Sequence, residues 1–351
     1  MSALRWSVAA VALGIAALAV GLEAAGFDAN VALGSLWLGA FGSWEVFTSN
    51  TLVRAVPHIL LGLGITVAFR SGVLNMGAEG QFYAGAIAAA WVGLHLGGLP
   101  WFATVGTLVL AASAAGLLWV VLPVWLKLRF GVLEVISTLL LNFVAVSLVS
   151  LMVQGPLRDH ERVYPQSAAI AEAARLPLLP GSRLHAGFAI AISVALILGF
   201  IFGKTLWGFR LRAVGLGPRA AEISGRVDSR RVGAVALLIS AAVAGLAGGV
   251  EVSGVSYALF QNLLPGHGFT GLAAALLGGL HPIGVLVAGV LFGALDAGAG
   301  AMQREAGVPV VAVYVVEAVI IIVALLATAP RGGWIALRGV ARKRVAPKAV
   351  G

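Results

Sequence analysis

KTLWGFRLRAVGLGPRAAEISGRVDSRR, residues 204–231, is the one long polar stretch bounded on both sides by apolar runs of membrane length. Its seven Lys/Arg (Lys204, Arg210, Arg212, Arg219, Arg226, Arg230, Arg231) face two acids, Glu222 and Asp228. Loops beside membrane spans that carry excess Lys/Arg stay in the cytoplasm, so this segment sets the topology. Within it, Pro218-Arg219-Ala220-Ala221-Glu222 predicts the first turn of a short helix. Proline is tolerated at a first helical position, alanine favours helix, and an acid near the N-terminus suits the dipole. Gly215 and Gly217 are expected to free the backbone before that helix, and Gly225 to end it. Two readings stay open: a contact for a cytoplasmic partner, or a solvated loop that only fixes topology.

Working outward, 60% of the 351 residues are hydrophobic and 11% charged, with a mean hydropathy of +1.01. Several apolar runs reach about 20 residues, the length that crosses a bilayer as helix. Backbone polar groups in lipid must pair internally, which leaves helices or a closed barrel. A barrel would show short alternating strands, and these runs are continuous. The expected fold is therefore all-α, a polytopic membrane helix bundle. The net charge of +9 would suggest nucleic acid on a soluble protein. Here it concentrates in 204–231 and in a basic tail, 331–351, with six Lys/Arg and no acid. Topology and anionic lipid account for that pattern, so no nucleic-acid partner is expected. The absence of cysteine excludes disulfides, thiolate metal sites and cysteine nucleophiles.

In chain order, 6–22 has the form of a signal peptide, but the many later spans favour an uncleaved first helix with its N-terminus inside; 23–50, acidic and without Lys or Arg, is expected outside, and 51–70 returns and ends at Arg70. Arg54 and His58 reach the interface or a polar interior. Residues 72–98 start with the polar, glycine-bearing GVLNMGAEGQ, which argues for a broken or closely packed helix. Spans at 100–122 and 132–153 precede a long external loop, 154–184. Residues 185–203 come in, the basic segment follows, 232–250 go out and 252–268 fold back. The run 269–300 is split at His281-Pro282, because proline removes a donor and restricts its predecessor. A last span covers 310–328. The result is about ten (eight to ten) crossings in one domain, some short or broken, with both termini cytoplasmic.

Glu134, Thr138 and Asn142 share one helix face at four-residue spacing, as do Asn75, Glu79 and Tyr83, with Gln81 nearby. A carboxylate deep in lipid costs roughly 3 kcal/mol on insertion scales, so these faces look into the bundle. They are candidate pathway or gate residues, and the plain alternative is helix–helix hydrogen bonding. Glu251, Asp296 and Glu317 are further acids near or within spans. Phe202-Gly203-Lys204-Thr205 lacks the glycine spacing of a phosphate loop, and Gly215-x-Gly217-x-x-Ala220 follows no strand. Six scattered histidines show no metal-ligand spacing, and no nucleophile motif is present, so neither a metal nor a catalytic site is expected. The residues by themselves reach a multi-pass transport protein that docks a cytoplasmic partner. A proton- or ion-coupled secondary transporter using embedded acids stands as the alternative, and a lipid-modifying membrane enzyme comes last.

GVLNMGAEGQFYAGAIAAA (72–90) resembles the Asn-x-Gly-x-Glu-Gly-Gln segment of bacterial ABC importer permeases of the branched-chain amino acid, simple sugar and nucleoside group. EVISTLLLNFVA followed by GPLRD is similar to the nucleoside and simple-sugar branch. RAVGLGPRAAEISG (212–225) resembles that family's coupling loop, and GFTGLAAALLGGLHPIGVLVAGVLFGAL (268–295) its late glycine-rich segment. Gly217 stands where the family often has Asn, and Ser224 where it often has Ala. The resemblance implies a permease subunit in the bacterial inner membrane. It forms half of a path for a small polar solute, a nucleoside first and a sugar or branched-chain amino acid next. Partners would be separate ABC ATPase subunits, which use the ATP, a second permease and an extracytoplasmic solute-binding protein. This chain would bind no cofactor of its own. Gly215, Gly217, Pro218, Arg219, Ala220, Ala221, Glu222 and Gly225 would form the coupling helix in its ATPase groove.

Overall fold

The computed structural model describes residues 2–223, 227–263 and 266–309, with 311, 312, 314, 315 and 318 beyond them. Gly225, Glu317, most of the expected span 310–328 and the tail 331–351 lie outside the described residues. The described chain is helical, with isolated β-bridges only in loops. Its helices are α1 (Ser2–Ala24), α2 (Ala29–Phe41), α3 (Trp44–Arg70), α4 (Ala78–His95), α5 (Trp101–Phe130), α6 (Glu134–Gln154), α7 (Gly187–Lys204), α8 (Leu206–Leu216), α9 (Pro218–Ile223), α10 (Ser229–Ser256), α11 (His267–Leu277) and α12 (Pro282–Ala306).

Six of these, α3, α5, α6, α7, α10 and α12, are long and apolar enough to cross a membrane. The other crossings read from sequence are not all full spans. The run 72–98 is helical only from Ala78: the Ser71, Gly72 and Val73 amides turn back onto carbonyls of α3, and the Gly77 amide bonds the Asn75 side chain. The run 269–300 is divided as expected: α11 has 11 residues, Gly279 and Leu280 turn with positive φ, and Pro282 opens α12. Two features were unforeseen. Residues 29–41 form a short apolar helix, capped by Asp28 through bonds from the Asn30 and Val31 amides. The helix expected at 51–70 begins already at Trp44 and runs through a π-type turn at Phe47–Leu52, just before Pro57. A wide turn there is a usual accompaniment of a broken hydrogen-bond ladder.

Burial sorts the helices. The most apolar window of α3 is 89% buried, and those of α5 and α6 only 22%. An inner set of α3, α4, α10 and α12 is thus ringed by helices that turn Leu110, Leu118, Leu140 and Phe143 outward. Lipid tails are as apolar as leucine, so burial does not drive helix pairing here. Close backbone contact does. On α10, a Cβ on Gly245 would strike the Ala112 carbonyl of α5, and one on Gly248 the Phe82 carbonyl of α4. Gly85 of α4 meets the Gly245 backbone in the same way. This row brings three helices to near backbone contact along α10.

The two ends of the bundle differ. At one end, residues 155–186 form a cap tied down by backbone bonds: Ser167 N to the Leu259 carbonyl (2.8 Å), Ile170 N to Tyr257 (2.8 Å), Ala171 N to Gly93 (3.1 Å) and Leu176 N to Ser253 (2.8 Å). Within it, His185 is fully buried, and burial pushes its imidazole down from 6.5 to about 4. The other end carries α8, α9, Lys127, Arg129 and the turn at 278–281.

Replacing Gly245 or Gly248 by alanine forces over-packing and should cost about 1–3 kcal/mol, whereas Gly106→Ala enters open space and should be neutral. Thermal unfolding of the purified variants in detergent, followed by tryptophan fluorescence, checks this. His185 protonates only on unfolding between pH 6.5 and about 4. The unfolded cap binds more protons in that window, so stability falls with falling pH. Proteolysis of the 155–186 cap should accelerate across that window, and His185→Gln should flatten the dependence.

Candidate functional site

The basic segment folds into two helices where the sequence predicts one. Thr205 opens α8, its Oγ1 accepting from the Gly208 amide (3.2 Å), and α8 buries Leu211 and Val214. Gly215 does not loosen the chain as expected. It lies inside α8, and its missing side chain lets the helix pass against the Arg70 carbonyl at the end of α3. Gly217, in extended backbone that any residue adopts, breaks α8 from α9. The expected short helix is present as Pro218–Ile223, held by the Ala221 amide on the Gly217 carbonyl (3.0 Å). α9 buries only Ala221; Pro218, Arg219, Ala220 and Glu222 point outward. Leu216 and Ile223 at its two ends are 90% and 86% exposed. Two large apolar side chains are thus held in the open on either side of Arg219.

Arg70 connects that surface to the bundle. Its Nε donates to the Leu280 carbonyl (2.8 Å) in the turn between α11 and α12. Its guanidinium lies 4.4 Å from the centre of the Phe202 ring on α7. One side chain therefore joins α3, α7 and the α11–α12 turn directly beneath Gly215. The sequence marked Arg70 only as the end of a span; its partner is 210 residues away.

The gate candidates cluster. Asn75 Nδ2 donates to Gln81 Oε1 (2.8 Å) and to Ser240 Oγ (2.9 Å), and Gln81 Nε2 returns a bond to Asn75 Oδ1 (3.0 Å). Asn142 accepts from the Gly80 amide (2.8 Å) and donates to the Met76 carbonyl (2.9 Å). Thr138 bonds the Glu134 carbonyl of its own helix (2.7 Å), and its side chain packs on Gly77. Glu134 pairs with Lys127 at the basic end (2.8 Å), the interface position rather than mid-membrane. Glu79 accepts from the Gly266 amide before α11 (2.9 Å) and borders a narrow crevice with Asn75, Asn142, Gly268 and Phe269. The amides are thus bonded to one another, stapling residues 71–81 between α6 and α10.

A second polar cluster was not assembled from sequence. His58 of α3 and Asp296 of α12, singled out separately, meet at 2.8 Å through Nε2 and Oδ2. His267, at the start of α11, places its Nε2 3.8 Å from the same oxygen. The two imidazoles stack with centroids 4.6 Å apart. Three potential ligand atoms within 4.8 Å correct the expectation that the histidines stay scattered. The separation of 238 residues between His58 and Asp296 hides the pairing from any local pattern.

Residues 47–325 match the family described as "Branched-chain amino acid transport system / permease component". The chain is 38% identical over 320 residues to the guanosine ABC transporter permease protein NupP of Bacillus subtilis, covering 89% of this chain and 90% of the relative. It is 35% identical over 322 residues to the glucose ABC transporter permease protein TsgB13 of Haloferax volcanii, covering 88% and 84%. It is 32% identical over 326 residues to the nucleoside ABC transporter permease protein NupB of Lactococcus lactis, covering 89% and 88%.

Asn75→Ala strands the Gln81 amide and Ser240 in a buried site, at a cost of about 1–3 kcal/mol for each group left unpaired. Asn142→Ala strands the Gly80 amide and should behave alike. Glu134→Gln weakens a half-open ion pair of little worth. Thermal melts should therefore rank both asparagine variants well below Glu134→Gln.

Proposed function

This chain belongs to the branched-chain amino acid transport system permease family, and we propose that it is the membrane subunit of an ATP-binding-cassette importer whose cargo is a nucleoside. The relatives named for guanosine and nucleosides support that cargo, with a sugar next in line because a glucose permease is almost as similar. The self-sufficient proton- or ion-coupled alternative is not favoured, since these relatives are named ABC transporter permeases.

In this reading the basic end faces the cytoplasm and the 155–186 cap faces outward, as the excess of Lys/Arg at one end supports. The full protein has about ten crossings in the bacterial inner membrane, with both termini inside. Two such permeases form the path, two ATPase subunits dock below, and a solute-binding protein docks on the cap. ATP is bound and used by the ATPases, and this chain performs no catalytic step.

The observation that carries the proposal is the exposed pair Leu216 and Ile223 flanking α9, seated on the bundle through Gly215 and Arg70. An ATPase groove closing on α9 covers these two side chains. Displacement of α8 and α9 then bears on Arg70 and, through Leu280, on the turn between α11 and α12. The short helix α11 is thereby linked to the ATPase while the glycine-packed α10 holds still. That is a two-state element biased by nucleotide at the partner.

Leu216→Asp with Ile223→Asp should leave membrane insertion intact, release the ATPase on purification and lower nucleoside uptake by about tenfold or more, as expected of hot-spot residues. Arg70→Ala should keep the ATPase bound but separate ATP hydrolysis from uptake. Normal uptake in the double aspartate variant would remove the docking role.

A further inference from the structure

The His58–His267–Asp296 cluster lies at mid-depth in the bundle. At 1.5 Å per residue, His58 is about 18 Å along α3 from Arg70, and Asp296 about 21 Å along α12 from Pro282. Both sit near the middle of a hydrocarbon core about 30 Å thick. His58 is 1% exposed, but Asp296 and His267 are 14% and 16% open. A carboxylate and an imidazole open at that depth do not face lipid. They face water or protein, and in membrane helices such groups mark pathways.

The polar groups nearest the cluster lie toward the capped end. On α3, Asn50, Arg54 and His58 are spaced four residues apart and share a face, running from the capped end down to mid-depth. Below His58 the same row continues as Gly62 and Thr66, whose hydroxyl is spent on the Gly62 carbonyl of its own helix (2.7 Å). On α12, Arg304 and Asp296 share a face toward the capped end, and below Asp296 it continues as Phe292 and Gly289. The arrangement is a polar column that opens toward the cap and stops at the cluster.

The floor of that column has unused hydrogen-bonding capacity. His58 bonds Asp296 Oδ2, and Oδ1 carries no hydrogen bond among the described residues. His58 Nδ1 is also buried without a partner among them. A carboxylate with a free oxygen beside stacked imidazoles suits a neutral ligand bearing adjacent hydroxyl groups, which donate to the carboxylate and accept from an imidazole N–H.

We propose that Asp296 and His267, with His58 positioning the carboxylate, form the mid-membrane contact that receives the vicinal ribose hydroxyls of the cargo. This rests on the nucleoside-importer reading and adds to it a site for the sugar half of the cargo. The site is attached to the start of α11, the helix whose other end is linked to Arg70. Movement at the ATPase therefore alters the geometry between His267 and Asp296.

The test uses the complete importer, with ATPases and saturating loaded binding protein, in proteoliposomes. ATP-driven uptake of guanosine is compared with that of 2′,3′-dideoxyguanosine for wild type, Asp296→Asn and His267→Gln. A site built to bond a hydroxyl rejects the analogue lacking it. Wild type should prefer guanosine by roughly tenfold or more, and Asp296→Asn should bring that ratio close to one. His267→Gln should reduce it. An unchanged ratio in Asp296→Asn overturns the inference while leaving the importer reading standing. An equal loss for both cargoes points to a structural role and also overturns it. Chelator-sensitive uptake restored by Zn2+ in wild type but not in Asp296→Asn would make the cluster a metal site instead. Absence of any nucleoside uptake by wild type removes the importer reading, and this inference with it.

Discussion

Near backbone contact between α10 and its neighbours is the constraint on which the remainder of this fold depends. In lipid there is no water to expel from between two apolar helices, so packing must come from short-range contact and buried hydrogen bonds. Gly245 and Gly248 supply the first, and Asn75 and Gln81, tied to Ser240 of the same helix, supply the second. Together they hold α4, α5 and α10 as one block. With that block fixed, what is attached to it less firmly becomes the part able to move. That part is the segment α8–α9, joined through Gly215 and Arg70.

The same division separates two kinds of buried polar residue that look alike in sequence. The amide cluster around Asn75 and Asn142 closes on itself and leaves little capacity for a ligand. The cluster around Asp296 is only partly satisfied and lies at the foot of a polar column. A fully bonded network rigidifies, and a partly bonded one has capacity for a ligand or for change. By this measure the Asn75 group serves as a staple, and the proposed cargo contact falls to the groups on α3, α11 and α12.

Much of the architecture was legible in the sequence because it follows from local chemistry. Apolar runs, the His281-Pro282 break and the short helix at Pro218 are each decided by a few adjacent residues, and each is present in the structure. The polar start at 72–81 announced an irregular entry to α4 for the same reason. Where the reading failed, the controlling contact was distant. Gly215 looked like a hinge because its partner, the Arg70 carbonyl, is far away in the chain. The apolar helix at 29–41 is shorter than a membrane-length run, and the extension of α3 back to Trp44 lies in a mixed polar stretch; both pack against α12. Of the site, the short helix Pro218–Ile223 was visible as a motif. The His58–Asp296 pair was visible only as two isolated polar residues in apolar runs.

The chain has no cysteine, so a single introduced thiol reports one position without background. Ala220→Cys, on the exposed side of α9, places that reporter at the centre of the docking surface. A membrane-impermeant maleimide should label it only from the cytoplasmic side, and bound ATPase should protect it. Labelling from the outer face, or labelling on the inner face that the ATPase leaves unchanged, would contradict the account.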